Sequence, residues 1–383
     1  MQTLATMAAY SVPALAPAIA RDLGVDGALT GYFVSVVYGV GIGSSLLAAG
    51  LIHRFGAVRV TQMVLASAFA MLLICASGSL VGLTMGAVAM GAAYGAGAPV
   101  STHLLVPRTP PAIVNLVLSI RQIGVPLGGA LGALLLPPLA LAIGWQKSML
   151  LLAMPVALLM LLLEIPRRRW DGQAARTAPA PIGDLRGLAD LLRASAEMRR
   201  LTIASFVYSG TQLCFIAFTT MQLTSRADFG IVAAGQALAA YQVSAVISRP
   251  FWGWIADAFI PAHRLLAAHG LLMGISAVAA GNFSPAWPVP LVLLTCVLAG
   301  ASASGFTGIA YGEYARLGGA RRTEATGLGS AAMFAGVLIL PSLATMLIMG
   351  TGNYALAYAA VGAVAASAGL MLAVARTGAS RFG

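Results

Sequence analysis

The stretch PRRRWDGQAARTAPAPIGDLRGLADLLRASAEMRR, residues 166–200, decides how the chain is organised. It is the one long polar run in 383 residues, of which 59% are hydrophobic and 9% charged. A soluble domain carries roughly a quarter charged residues. No soluble surface can be built from this composition, so lipid is the solvent for most of the chain. Within the stretch an arginine run gives way to an Ala/Pro linker and then to an amphipathic segment. Ile182, Leu185, Leu188, Leu191 and Leu192 recur at helical spacing, which predicts a helix along the membrane surface.

Apolar segments of about 20 residues, the length that crosses a bilayer, lie on both sides of this run. Before it they occupy about 2–20, 28–51, 59–78, 80–104, 112–140 and 146–165. After it they occupy about 201–223, 230–255, 265–282, 288–312, 325–349 and 354–375. The expected architecture is all-α and integral to the membrane, with twelve spans in two six-helix halves, 1–165 and 201–383, joined by the basic linker 166–200. The first segment, MQTLATMAAYSVPALAPAIA, has no basic n-region. That argues for a membrane helix and against a cleaved signal peptide.

The net charge of +11 invites a nucleic-acid reading until the basic residues are placed. With both termini on one side, Arg54, Arg59, Arg108, Arg264, Arg316, Arg321, Arg322, Arg376, Arg381 and the linker arginines share that side. Only Arg21, Lys147 and Arg226 stand opposite. Such a bias orients a membrane protein with its basic side in the cytoplasm and accounts for the charge without nucleic acid. The sparse loops fit a bacterial inner membrane. Cys75, Cys214 and Cys296 sit in apolar segments with no CxxC and read as small buried hydrophobes.

The loop after span two, AGLIHRFGAVRV (residues 49–60), and the loop after span eight, GWIADAFIPAHR (253–264), fall at the same point of their halves. This is an internal repeat of the kind transporters carry. With the span count, the basic linker and RQIGVPLGG in span five, the chain resembles the major facilitator superfamily over essentially its whole length. That family's loop motif, Gly-x-x-x-Asp-Arg-x-Gly-Arg-Arg, is degenerate here. In the first copy Arg54, Phe55 and Gly56 follow the pattern, but Ala49 replaces the glycine and His53 the aspartate. In the second, Gly253 and Asp257 match, while Ala258 and Ile260 depart from it. The resemblance implies two six-helix bundles, transport by alternating access, and loops acting as latches that involve His53, Arg54, Gly56, Gly253, Asp257 and Arg264. A carboxylate gains from a helix N-terminus, so Asp257 is expected to meet the start of span five near Ile113. His53 puts the matching latch in doubt.

Two arginines remain inside spans, Arg121 in LSIRQIGVP and Arg249 in VISRPFWG. Each lies roughly 10–13 Å from its span's basic end at 1.5 Å per residue. An arginine at that depth marks a polar cavity, snorkels to the interface, or ties up carbonyls freed by Pro126 or Pro250. A guanidinium also matches a carboxylate in two-point geometry. RPFWG resembles the Arg-Pro-x-x-Gly of the monocarboxylate transporters, and the oxalate–formate exchangers similarly place an arginine in this helix. That resemblance implies that Arg249 holds a substrate carboxylate, although Ala245 replaces the aspartate that accompanies the arginine in the monocarboxylate branch. Arg121 is the second candidate, and an anion between the two would relieve their repulsion.

Tyr10, Tyr94, Tyr208, Gln212, Ser304, Thr307 and Tyr311 are further candidates to line the cavity, with helix glue as the alternative for each. His103 and Glu313 are the candidates for protonation. Other carboxylates fall at helix ends or in loops, which disfavours proton–multidrug exchange. No HExxH, GxSxG or GxxxxGK[ST] motif is present, so neither an enzyme nor a nucleotide-driven pump is expected, and no cofactor or metal is called for. The reading is a monomeric secondary carrier of a small organic anion, driven by a proton or a counter-anion. The alternative is efflux of hydrophobic neutral or cationic compounds, with the arginines structural.

Overall fold

A computed structural model of the chain describes residues 1–25, 29–171, 185–225 and 227–374. Asp26, Arg176, Ile182, Arg226, Arg376 and Arg381 lie outside them. The described residues are helical throughout, with no strand. Nine helical stretches are long and apolar enough to cross a membrane. One of them, Val289–Thr351, folds as two traverses that turn at Gly319–Arg321. Two more traverses fall outside that test: Gln2–Leu23, broken into short pieces, and Ile231–Ala258, which carries Arg249. The described residues therefore hold twelve traverses in the expected order.

The breaks follow from proline and glycine. Span one splits at Tyr10 and Leu15 into Gln2–Ala9, Ser11–Ala14 and Ala16–Leu23. Pro13 and Pro17 cannot donate to the carbonyls four residues back. Span four splits into Leu80–Tyr94 and Gly97–Leu105, with Pro99 four residues after Gly95. Span five splits into Val114–Gln122 and Gly124–Ile143, with Pro126 four residues after Gln122. Span ten splits into Val289–Ala303 and Phe306–Gly318 around Ser304 and Gly305. In hydrocarbon a freed carbonyl needs another donor, so each break is a place where a polar side chain is wanted.

One hydrophobic cluster draws on residues from Ala5 to Val156. A second runs from Leu188 to Leu372 and takes in Leu118 from the first half. Between the halves, span two packs on span eleven. The first piece of span five, Val114–Gln122, packs on span eight and on Phe306–Gly318 of span ten. The distal piece, Gly124–Ile143, touches span eight much less. The halves are thus pressed together on the side of the arginine-rich loops and diverge on the other. Within the linker the helix Leu185–Ala194 buries Leu188 and packs Leu191 and Leu192 on the C-terminal half.

Candidate functional site

A cavity of about 130 Å³ lies where both halves meet, lined by Arg121, Arg249, Tyr10, Tyr94, Gln212, Thr307 and Tyr311 among others. These seven come from spans one, four, five, seven, eight and ten. Tyr208, expected among them, is placed elsewhere. It is 1% exposed, packs edge-on against Phe306, and donates to the Leu266 carbonyl at 2.9 Å. Its hydroxyl holds two helices of one half together. Gln212 donates to Ser304 Oγ at 3.0 Å, so Ser304 supports the cavity wall from the break in span ten.

Sequence reasoning missed Gln2, Tyr38, Ser330 and Phe334, which line the cavity along with Gln122. Tyr38 bonds Tyr10 hydroxyl to hydroxyl at 3.0 Å. Phe334 of span eleven reaches across, edge-on to Tyr38 at 5.0 Å and stacked on Tyr94 at 5.9 Å between ring centres. Tyr38 was legible, since Tyr38, Gly41 and Ser45 share one face of span two at helical spacing. Nothing in the sequence singles out Phe334.

Arg249 is 2% exposed. Its Nη1 donates to the Gln122 carbonyl at 2.6 Å and its Nε to the Ser304 carbonyl at 3.0 Å. Gln122 is the residue whose helical donor Pro126 removes, and Ser304 stands at the break in span ten. One side chain therefore joins the discontinuities of two spans, one in each half. These bonds fix the guanidinium and leave Nη2 without a hydrogen bond to any described residue, on a side chain that lines the cavity.

Arg121 is more fully engaged. Its Nη2 donates to Gln2 Oε1 at 2.6 Å and to the Gly97 carbonyl at 2.8 Å, and Nη1 donates to Gln122 Oε1. Its Nε is buried without a hydrogen-bond partner among the described residues. Arg121 also borders a second, wider cavity with Thr61, Ser101 and Trp170 toward the arginine-rich side, so it stands between the central cavity and that side. Two guanidiniums face the central cavity, and no acidic residue is among its lining residues. Burying like charges together without a counter-charge is costly.

The expected latch residues divide. Asp257 at the end of span eight accepts from the backbone N–H of Asn115 at 3.1 Å and of Leu116 at 2.8 Å, and from Asn115 Nδ2 at 2.8 Å. This caps the first turn of span five, two residues beyond the expected contact. Gly253 lets the helices approach there: a Cβ on it would lie 2.7 Å from Ser119 Oγ. In the first half, His53 Nε2 lies 3.6 Å from Glu324 Oε1 in the first turn of span eleven. Arg54 is exposed over the Phe55 ring, and Arg264 is exposed with no side-chain bond to a described residue. Gly56, at φ +91°, turns the chain against Asp171, which accepts from the N–H groups of Val58 and Arg59 at 3.0 and 2.8 Å. That cap on span three was missed because Asp171 lies more than a hundred residues away in the linker.

His103 lies on the seam between the halves, its Nδ1 2.9 Å from Thr323 Oγ1. Glu313 does not line the central cavity. It is buried within the C-terminal half, holds Arg316 through both carboxylate oxygens at 2.8 and 2.6 Å, and is spent on that pair.

Family comparison matches residues 1–315 to the Major Facilitator Superfamily. The chain belongs to that superfamily. It is a multi-pass membrane transporter and not an enzyme. Among solved major facilitator structures it is similar to the E. coli fucose:proton symporter FucP, with TM-score 0.73, 13% identity, and 97% of this chain and 96% of that one covered. It is similar to the human organic anion transporter MFSD10 (TETRAN), with TM-score 0.71, 16% identity and 97% of each chain covered. It is also similar to the proton:xylose symporter XylE bound to 6-bromo-6-deoxy-D-glucose, with TM-score 0.71, 14% identity, and 96% and 92% covered. At these identities the likeness concerns the fold. A comparison with curated proteins finds no match.

Proposed function

We propose that this major facilitator protein carries a small organic anion, a carboxylate, across the membrane by alternating access. The observation that carries this reading is a buried guanidinium, Arg249, and a half-buried one, Arg121, on one cavity without a carboxylate among its lining residues to neutralise them. The carboxylate would pair with the free edge of Arg249, and Arg121 would add field from the other side. Tyr10, Tyr38, Tyr94, Gln212, Thr307 and Tyr311 would supply hydroxyl and amide donors and ring faces. The human neighbour is named an organic anion transporter, which agrees with this reading. The sugar symporters among the neighbours bind uncharged cargo, and a paired arginine site gives no reason for that choice. A lipophilic cation would meet two positive charges and no carboxylate.

In this reading the arginine-rich loops face the cytoplasm of an inner-membrane protein, and the halves are closed on that side. Asp257 on span five, and His53 and His103 on span eleven, would be the closing contacts, and a proton or counter-anion would drive the cycle. The test is ligand-induced thermal stabilisation of the detergent-purified protein with mono- and dicarboxylates, neutral sugars and lipophilic cations. Wild type is compared with Arg249→Lys, which keeps the charge and loses the fork. Stabilisation by carboxylates alone, weakened in the variant, supports the proposal. Stabilisation by sugars or cations, equal in both proteins, rejects it.

A further inference from the structure

The two latches are not chemically alike. On span eight the carboxylate of Asp257 binds backbone amides and Asn115, none of which titrates. At the corresponding place on span two stands His53, and the carboxylate has moved across the seam to Glu324, in the first turn of span eleven. A second imidazole joins it. His103 of span four lies 6.1 Å from His53 between ring centres, at 85°, and bonds Thr323, the residue before Glu324. Two imidazoles from one half thus hold two successive residues of the other.

We infer that His53 and His103, with Thr323 and Glu324, form a proton-binding site whose occupancy closes the arginine-rich face of the transporter. While His53 is neutral, its 3.6 Å contact with Glu324 has no net charge on the imidazole side. A proton on His53 turns it into an ion pair that bridges the halves. Opening separates His53 from Glu324 and removes the pair, so the closed state binds the proton more tightly than the open one. By linkage the sign follows: closure gains as pH falls through the range where imidazole titrates, and is lost as pH rises. The other charges facing the site are cationic, namely Arg54 beside His53, Arg108 after span four, and Arg322 on span eleven. His103 keeps its bond to Thr323. His53 operates the latch, and Glu324 is its only anionic partner among these groups.

The site is tested without substrate. Spin labels on Pro110→Cys and Ala320→Cys, exposed loop positions on the arginine-rich side of opposite halves, report the separation of the halves by pulsed electron spin resonance. Native Cys75, Cys214 and Cys296 are buried and stay unlabelled. In lipid nanodiscs, lowering the pH from about 8 to about 5.5, across the imidazole range, raises the closed-to-open ratio in the wild type. The expected rise is about two- to fivefold for a part-exposed pair. His53→Gln and, independently, Glu324→Gln abolish the response, and His53→Lys holds the short distance at both pH values. A wild-type distance distribution that ignores pH overturns the inference. So does a response that survives in either glutamine variant. Because no cargo is present, these outcomes do not depend on whether the carried molecule is an anion.

Discussion

Arg249 donates through Nη1 to the carbonyl of Gln122 at 2.6 Å, and that carbonyl is free because Pro126, four residues on, has no N–H to give it. A charge inside a membrane span and a break in another span thus stabilise one another across the two halves. The deep arginine is at once a structural tie and the source of a fixed, partly free guanidinium.

This dual role separates two substitutions. Arg249→Ala leaves the Gln122 carbonyl without a donor and the Ser304 carbonyl with only Thr307 Oγ1 at 3.5 Å, and a buried polar group left unpaired costs about 1–3 kcal/mol. A clear fall in thermal midpoint is expected even without ligand. Pro126→Ala returns a backbone donor to Gln122, so in that background Arg249→Ala costs less. A double-mutant cycle in thermal denaturation measures the coupling, and strictly additive effects would mean the two residues are unrelated.

Asp257→Asn removes the charge from the cap on span five while keeping its shape. A negative charge at a helix N-terminus is worth about 0.3–1 kcal/mol. The arginine-rich face is expected to open more often, read as faster labelling of a cysteine placed at Ser101, which lines the cavity on that side. Unchanged labelling would show that the contact does not hold the halves closed.

Gly308 fits against Ser119 so tightly that a Cβ would lie 2.4 Å from the Ser119 Cα. Gly308→Ala is therefore expected to fold each half normally but to keep the halves from closing, with overpacking of about 1–3 kcal/mol at the seam. Transport in proteoliposomes should fall at least tenfold while helical content stays constant. Full activity would mean the seam yields freely.

Asp171 offers a control that leaves transport geometry aside. It caps span three within the first half, through Val58 and Arg59. Asp171→Ala is expected to lower stability by about 1 kcal/mol without changing the ligand selectivity seen in thermal shifts. A changed selectivity would give the linker a part in recognition.

Composition, the periodic spacing of charged loops and the arginine bias between sides determined the membrane as solvent, the twelve traverses and the division into halves. These properties are additive along the chain, since transfer into lipid is summed residue by residue. Arg121 and Arg249 stood out for the same reason, as charges where charges are expensive. Asp257 was also legible, because repeat position and helix-end electrostatics are both local. The tertiary structure decided everything that depends on two distant segments meeting. It took Tyr208 off the cavity, brought Phe334 onto it, engaged Glu313 with Arg316, and set His53 against Glu324. It tied Arg249 to a carbonyl 127 residues away in sequence. Which donor satisfies a freed carbonyl in a membrane is fixed by which helix lies beside it, and only the packing of the halves contains that information.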